Sequence, residues 1–400
     1  MPASNSFPVA IVLDGNQRAA LATVRSLGRR SVRVIVAESN RQSLASASRF
    51  CSGELVYPDA ASFPEAFQGW LEELARQYPG AVLLPMTDLT VPLVLAAAGR
   101  LQGVQLCLPT LAAYESVTDK YRLYDVAVAL GVRVPQTLIV GRAEIASLEG
   151  RELSFPLAVK PRLSTLRLAG SVAKRPVRYA YDREHLLRIV AEEFSIGAED
   201  LLLQQYVAGY GAGVFGLYDQ GRPLFFFAHR RLRERPPSGG VSVLSESIEP
   251  PPEALDYARR ILESRPWHGV AMVEFKIDSQ GRCWLIEVNA RFWGSLQLAV
   301  DSGADFPWFS YQLAIGAVPQ VPDRFTPGRR LRWWLGDLDN LYSQLRRPPQ
   351  GVGPWGLFKA AAAFALPWTP RLRYELFRWN DPWPAYRSLR QYVQALAGKS

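Results

Sequence analysis

Short apolar runs alternate with helix-like stretches over the first hundred residues. The runs cover residues 9–14, 32–38 and 81–86, and a clear helical pattern covers residues 62–77. This alternation is typical of a parallel sheet wound with helices. We therefore predict an N-terminal doubly wound α/β domain, with ligands expected at the carboxyl ends of its strands, where Thr87-Asp88 stands.

The turn after the first run argues against a dinucleotide site. It reads Asp14-Gly15-Asn16-Gln17-Arg18 and lacks the GxGxxG pattern that lets a backbone approach a pyrophosphate.

Beyond residue 116 the pattern becomes mixed. Ser116, Thr118 and Asp119 offer N-cap oxygens for a helix through Leu130, which Gly131 would end. Extended segments follow, and the last two are joined by a four-residue turn, which predicts an antiparallel hairpin. These segments cover residues 132–140, 155–162, 201–207, 214–219, 223–230, 271–278 and 283–290.

Two carboxylates and an amide stand on the last two segments. Glu287 and Asn289 are two residues apart and share one face of a strand, and the neighbouring strand can bring Glu274 beside them. Such oxygen ligands suit Mg²⁺, which takes its remaining coordination from waters and phosphates. The alternative is a charged solvent face of an antiparallel sheet.

Two lysines suggest an anion. Lys160 ends an otherwise apolar strand, where its ammonium is costly to bury unless an anion neutralises it. Lys120 falls in the first turn of the predicted helix. Each lysine alone could also be a solvated surface residue.

Together these motifs resemble the ATP-grasp superfamily. The similarity spans residues 9–315 and is greatest to the biotin carboxylase and carbamoyl phosphate synthetase branch and to predicted bacterial carboxylate-amine ligases. The motifs are Thr-Asp-Lys (118–120), Val-Pro-x-Thr (134–137), Val-Lys-Pro (159–161), Gln-Gln-Tyr-Val-x-Gly (204–209), Val-Glu-Phe-Lys (273–276) and Ile-Glu-Val-Asn-x-Arg (286–291).

The resemblance implies three parts. Residues 1–112 would form the α/β domain, and residues 113–320 a two-lobed α+β ATP-grasp domain with its small lobe at about 135–207. Residues 321–400 would be a basic, aromatic-rich C-terminal extension.

The resemblance also implies a nucleotide site between the lobes. Lys120 and Lys160 would contact the phosphates of ATP. The segment of Gln204, Gln205, Tyr206 and Val207 would lie at the adenine, with the backbone of Gln205 and Val207 bonding it.

Glu274, Glu287 and Asn289 would hold one or two Mg²⁺ ions, and the resemblance also allows Mn²⁺ in their place. Arg291 would steady a substrate carboxylate or acyl phosphate. The loop over the phosphates, residues 162–177, has Gly170 where many relatives have several glycines.

An arginine-rich segment follows the Phe-rich strand. Residues 228–240 look like the family's basic segment at the reaction centre, with Arg230 and Arg231 as the preferred catalytic members. Their guanidinium groups suit a transferred phosphoryl group or a carboxylate. The alternative is a solvated basic loop.

The net charge of +9 is concentrated near the C-terminus. Residues 321–400 hold 13 Lys and Arg against 5 Asp and Glu, together with six of the eleven Trp. Interleaved Arg and aromatic residues are typical of membrane-interface helices. The prolines of this segment instead favour packing on the core or on a second subunit, with Arg side chains in water. No nucleic-acid motif is present.

The sequence thus predicts a cytoplasmic ATP-grasp ligase that forms amide or peptide bonds. Three widely spaced Cys indicate a reducing compartment, and residues 321–400 could add a peripheral membrane or protein contact. The substrates would be a small carboxylate and an amine, and the sequence allows a homodimer. Alternatives are carbamoyl-type chemistry with bicarbonate, or an ATP-binding scaffold.

Overall fold

The computed structural model describes residues 7–162, 165–168, 171–174, 177–237, 239–346, 348, 353–365 and 371–397, and of the two short segments between 163 and 176 it describes the backbone alone.

The first domain is the predicted parallel α/β unit. Its strands pair in the order β3-β2-β1-β4, and three of them coincide with the apolar runs in the sequence. The remaining strand, β3, is half-exposed and was not predicted. The elements are β1 (Ala10–Val12), α1 (Arg18–Gly28), β2 (Val34–Glu38), β3 (Gly53–Val56), α2 (Pro64–Gln77), β4 (Val82–Leu84) and α3 (Thr90–Ala97).

The helix predicted through Leu130 is present, and a shorter helix that was not predicted precedes it. The helices are α4 (Leu111–Thr118) and α5 (Lys120–Ala129), and Asp119 between them caps the second by accepting from the Tyr121 N–H at 3.0 Å. Gly131 follows with φ of +67°, a conformation that glycine adopts without strain.

A small lobe follows, with an antiparallel sheet in the order β5-β10-β6-β9. Helix α6 covers this sheet, and β7 and β8 form a separate hairpin. The elements are β5 (Thr137–Gly141), β6 (Leu157–Pro161), β7 (Thr165–Leu168), β8 (Ser171–Lys174), β9 (Arg178–Ala180), α6 (Arg183–Ser195) and β10 (Asp200–Gln205).

The large lobe is built on long antiparallel strands, as predicted. Its elements are β11 (Tyr210–Asp219), β12 (Arg222–Arg235), β13 (Val241–Ile248), α7 (Pro252–Glu263), β14 (Gly269–Ile277), β15 (Cys283–Asn289), α8 (Leu296–Asp301) and α9 (Phe306–Ala314).

The C-terminal segment is part of the large lobe. The sheet order is β15-β14-β11-β12-β13-β16-β17, so that two strands from beyond residue 320 extend it. These elements are β16 (Arg330–Arg332), α10 (Trp334–Arg346), α11 (Pro354–Ala365), β17 (Leu372–Tyr374) and α12 (Trp383–Ala397).

The packing prediction for this segment holds for its backbone and fails for many side chains. Leu331 and Leu376 are buried, as expected, but so is Arg332. Trp379 is 90% exposed and Trp383 is 62% exposed. The expected division, with aromatic side chains inside and arginines in water, is therefore wrong for these residues.

Candidate functional site

Glu274, Glu287 and Asn289 lie together, as the strand pattern predicts. Glu274 on β14 is directly opposite Glu287 on β15. The Asn289 side-chain nitrogen donates to Glu287 Oε1 at 3.2 Å and lies 3.4 Å from Glu274 Oε1. Burial raises the pKa of Glu274 to about 7, even though Arg231 beside it acts in the opposite direction.

Arg231 bounds one side of this carboxylate cluster. Its guanidinium pairs with Glu274 across the intervening strand β11, and with Glu234 at 3.0 Å. The side chain can cross β11 because Gly211 lies beneath it, where a Cβ would stand 3.0 Å from Arg231 Cδ. The structure therefore places Arg231 at the predicted centre, held between two carboxylates.

Lys160 is buried beside the cluster and has a neutral partner. Its Nζ donates to Gln204 Oε1 at 2.7 Å. The Gln204 amide nitrogen in turn donates to the hydroxyl oxygens of Tyr124 and Thr137, at 2.9 and 3.0 Å. Burial lowers the pKa of Lys160 to about 8, so the ammonium is retained at neutral pH at an energetic cost.

Lys120, the first residue of α5, is also buried. This position excludes the solvated alternative that the sequence left open. Its charge contributes to lowering the pKa of Lys160. Burial would raise the pKa of Glu287, but the charges of Lys120 and Lys160 outweigh it and lower that pKa. Both lysines and Glu287 thus face a common space.

An ion pair holds Arg162, the first residue of the segment 162–177 that the sequence predicts to cover the phosphates. Arg162, just after β6, binds the capping residue Asp119 at 2.7 Å and lies 4.7 Å from the centroid of the Tyr121 ring. The backbone of the segment forms the β7-β8 hairpin. Gly170, on which the prediction about this loop depended, lies outside the described residues.

Arg291 is held by the first domain. Its Nε and Nη2 donate to the two carboxylate oxygens of Asp88 at 2.7 and 2.8 Å, and Nη2 also reaches Asn289 Oδ1 at 2.8 Å. Asp88 follows β4, at the sheet edge where a ligand site was expected. Arg291 therefore joins the carboxylate cluster to the first domain. Its predicted contact with a substrate remains a prediction.

The predicted adenine segment borders the same space through Gln204, which is buried, and then reaches the surface. Gln205 and Tyr206 are exposed, and the Tyr206 ring packs edge-on against Tyr179 at 5.7 Å. The Gln205 N–H donates to Gln136 O at 2.8 Å, so an adenine contact from Gln205 would have to use its carbonyl group. Val207 follows the end of β10.

Arg230 is not part of this cluster. Residues up to Arg235 continue strand β12, where a loop was expected, and neighbouring side chains on a strand point to opposite faces. Arg230 accordingly pairs with Glu246 at 2.5 Å, and Arg330 of β16 binds the same carboxylate. Arg230 and Arg231 therefore lie in different surroundings, and the catalytic role predicted for each stays a prediction.

Comparison with known proteins identifies the fold. A family described as "ATP-grasp in the biosynthetic pathway with Ter operon" matches residues 197–335. The chain has the ATP-grasp fold. The resemblance that the motifs indicated is thereby confirmed, and no curated protein sequence gives a match.

Solved ATP-grasp structures are similar over most of the chain. An L-amino acid ligase from Bacillus licheniformis has a TM-score of 0.63 at 17% identity, covering 82% of this chain and 79% of that one. The biotin carboxylase domain of a 2-oxoglutarate carboxylase from Hydrogenobacter thermophilus has a TM-score of 0.62 at 16% identity, covering 80% and 73%. An N5-carboxyaminoimidazole synthetase from Staphylococcus aureus has a TM-score of 0.62 at 14% identity, covering 81% of each chain.

Sequence reasoning did not predict several of the contacts that hold this cluster. Asp88 and Glu234 hold the two buried arginines, and Gly211 makes room for one of them. Asp119 was read only as a helix cap, although it also anchors Arg162. A carboxylate after a parallel strand was a usable signal for Asp88. Glu234 had no such signal, because it stands among arginines in an apparent loop.

Proposed function

We propose that the chain is an ATP- and Mg²⁺-dependent ligase that joins a carboxylate to an amine. The carboxylate attacks the γ-phosphorus of ATP, giving an acyl phosphate and ADP. The amine then displaces phosphate and forms an amide or peptide bond. The observation that carries the proposal is the meeting of Lys120, Lys160, Glu274 and Glu287 in one buried space of an ATP-grasp fold.

The cations of this space fit a polyphosphate. Among the described residues, the hydrogen-bond partner of the buried Lys160 ammonium is a neutral amide, so a phosphate oxygen would relieve an existing electrostatic cost. Lys120 adds a second positive charge to the same space. The protein's part in such a reaction is to position the reactants and neutralise charge, which needs no protein nucleophile.

The oxygen ligands fit Mg²⁺ with two local changes. Glu274 and Glu287 supply carboxylates, and Mg²⁺ when bound would neutralise charge on the phosphates. Asn289 Oδ1 now accepts from Arg291, so its amide would have to rotate to face the carboxylates. Arg231 would have to release Glu274. Among the described residues no group of three His, Cys, Asp or Glu side chains forms a metal site, so Asn289 or phosphate oxygens must complete the set.

Similarity of fold does not choose between amide formation and bicarbonate chemistry. The amino acid ligase and the biotin carboxylase have nearly equal TM-scores, 0.63 and 0.62, and the latter structure holds MgADP and bicarbonate. Amide formation is therefore proposed as the first reaction to test, and bicarbonate chemistry is kept as its alternative. A reducing, cytoplasmic compartment is proposed as well, and the cysteines Cys51, Cys107 and Cys283 are all free thiols.

The test is ADP release coupled to amide formation. The purified chain is incubated with ATP, Mg²⁺ and mixtures of amino acids and other small carboxylates and amines, and the products are read by mass spectrometry. We expect ADP and a condensed product to appear together, and Glu287→Gln to abolish both. Glu263→Gln, on the exposed surface of α7, serves as the matched control and should retain activity.

Three outcomes would redirect the proposal. ADP release that requires bicarbonate and no amine would support carbamoyl-type chemistry. ATP binding without turnover on any mixture would support the scaffold alternative. Unchanged turnover of Glu287→Gln would reject the site.

A homodimer is proposed only as the simplest assembly, and light scattering of the purified chain tests it.

A further inference from the structure

Helix α12 presents an apolar stripe to solvent. Trp383 and Tyr386 are 62% and 63% exposed, and the exposed apolar side chains continue along the helix with Leu389, Val393 and Leu396. At about 100° per residue these five positions span roughly 140° of the helix circumference. Arg390 also falls within this arc, between Tyr386 and Trp383, so the stripe carries one cation near its edge and is wide enough to be a contact surface.

The opposite side of α12 is anchored on the first domain. Pro384 is buried, and Arg387 Nη1 donates to Ser43 O and Ser46 Oγ at 3.0 and 3.1 Å. The helix packs beside the short 3-10 turn at Ala45–Ala47. The orientation of the stripe is thus fixed: Leu389, Val393 and Leu396 point away from the anchored side, and Trp383 and Tyr386 lie at the border with the first domain.

A basic cleft runs along one edge of the stripe. Its cavity of about 480 Å³ lies between α12 and the segment that contains Arg41. Its cationic and aromatic lining consists of Arg41, Arg387, Arg390, Trp383 and Tyr386, and the other lining residues are Gln42, Ser46, Ala47, Gln391 and Gln394. No carboxylate is among these lining residues, so the cleft suits an anion.

The charge of the helix agrees with that of the cleft. The sequence of α12 has two Arg and no Asp or Glu. Trp379, 90% exposed, precedes it. An amphipathic helix with aromatic side chains on one face and cations at its border is the composition of helices that lie in the interface of anionic bilayers.

Charge also distinguishes a lipid surface from a second copy of the chain. A twofold contact through the stripe would place the same surface on both sides, and so would bring two arginine clefts close together. Like charges facing each other oppose such a contact. An anionic lipid surface instead offers apolar chains to the stripe and phosphate groups to the cleft.

We propose that α12 docks the protein on anionic phospholipid, with its apolar stripe in the interface and a headgroup phosphate in the cleft of Arg41, Arg387 and Arg390. Among the described residues no helix is long and apolar enough to cross a bilayer. The docking is therefore peripheral, reversible and sensitive to salt.

The test is co-sedimentation of the full chain with vesicles. We expect binding to vesicles that contain phosphatidylglycerol and little binding to pure phosphatidylcholine, with the difference lost at high salt. Arg390→Gln should weaken partitioning onto anionic vesicles about fivefold, as expected for one cation near such a surface. Leu389→Glu combined with Val393→Glu should weaken it by roughly 25-fold or more, because two anions enter the interface.

Val318→Glu is the matched control, since Val318 is 86% exposed and lies outside α12. It should bind vesicles like the parent chain. Denaturant unfolding of each variant verifies that it folds, and ADP release measured on the same samples keeps the docking proposal separate from the catalytic one.

The proposal is overturned if the parent chain does not sediment with anionic vesicles, or if the double variant sediments as well as Val318→Glu. It is also overturned if phosphatidylcholine binds equally well at every salt concentration. A parent dimer that the double variant converts to a monomer, with no vesicle binding by either, would assign the stripe to self-association. If inorganic phosphate protects Trp383 from a fluorescence quencher and the chain does not bind vesicles, the cleft is a site for free phosphate and the docking proposal is rejected.

Discussion

Two buried cations, Lys160 and Arg25, have opposite surroundings. Arg25 on α1 donates to the Asp381 carboxylate at 2.8 Å and to the backbone oxygens of Glu375, Leu376 and Asp381 at 2.9, 2.7 and 3.1 Å. Lys160 donates to a single neutral amide oxygen in the described structure.

The difference separates a structural charge from a charge kept for a ligand. The carboxylate and carbonyls around Arg25 offset part of its desolvation, although burial still lowers the pKa of Arg25, and they join α1 to the segment before α12. Lys160 keeps much of its desolvation cost, which an anionic ligand would remove. Within the described structure, charge compensation thus indicates function better than burial does.

Removing the carboxylate beside Arg25 should have the largest effect on stability. Asp381→Ala leaves a buried guanidinium without its counterion and is expected to lower the free energy of unfolding by about 3–5 kcal/mol. Chemical denaturation measures this change. Glu263→Ala, which breaks the exposed pair with Arg259, should change it by about 0–1 kcal/mol. Equal effects of the two substitutions would remove the distinction between the cations.

Removing Lys160 should instead weaken ligand binding without lowering the stability of the fold. Lys160→Met is expected to weaken MgADP binding roughly 10- to 150-fold, the range for a hydrogen bond to a charged group. The free energy of unfolding should stay the same or rise, because an incompletely compensated charge leaves the interior. Calorimetric titration and denaturation of the same sample test both parts, and a stability loss like that of Asp381→Ala would contradict the comparison.

The affinity for ADP should depend on the ionisation of Lys160. Burial lowers its pKa to about 8, so the charge is present below that pH and binding weakens as the pH rises through it, by at most about tenfold per pH unit. The unfolded chain keeps this proton to about pH 10.5, so between these values the same ionisation makes the fold more stable as the pH rises. Lys160→Met should lack both steps, and a parent chain with no step near pH 8 would reject the assignment.

The smallest change in ADP affinity at neutral pH is expected from giving Lys160 a carboxylate partner like that of Arg25. Gln204→Glu places a carboxylate beside the ammonium and raises the pKa of Lys160. Since Lys160 is largely charged at pH 7 in either case, the affinity for ADP should change there by less than about fivefold, while the pH step moves above 8. Titrations at pH 7 and pH 9 test this shift, and a step that stays at 8 would show that Gln204 does not control the charge.

The sequence was sufficient where a short-range rule determines geometry. The turn predicted the hairpin of β14 and β15 and so brought Glu274 near Glu287, but it did not predict the β-bulge between Glu274 and Phe275 that sets these two residues directly opposite each other. Strand alternation placed Asn289 on their face. The apolar neighbours of Lys160 in β6 suggested its burial but left a solvated position open, which the structure excludes.

The sequence was insufficient where the partner lies far along the chain. Arg291 is held by Asp88, which is 203 residues away, and Arg233 by Asp337, which is 104 residues away. The arginine-rich segment looks like a solvated loop in the sequence. It is part of strand β12, where carboxylates such as Asp337 pair with its arginines. Strands β16 and β17 have three residues each, too few to show a period of two, so their place in the large sheet could not be predicted.

The contact between α1 and the segment around Asp381 also determines when the fold can be completed. Arg25 and Asp381 are 356 residues apart, and a ribosome adding about 5–20 residues per second needs roughly 20 to 70 s to make that stretch. During that time the nascent first domain carries Arg18 and Arg25 without the carboxylates that later bind them. We therefore expect α1 to be among the last helices of the first domain to become fixed, only after residues near 381 have left the exit tunnel.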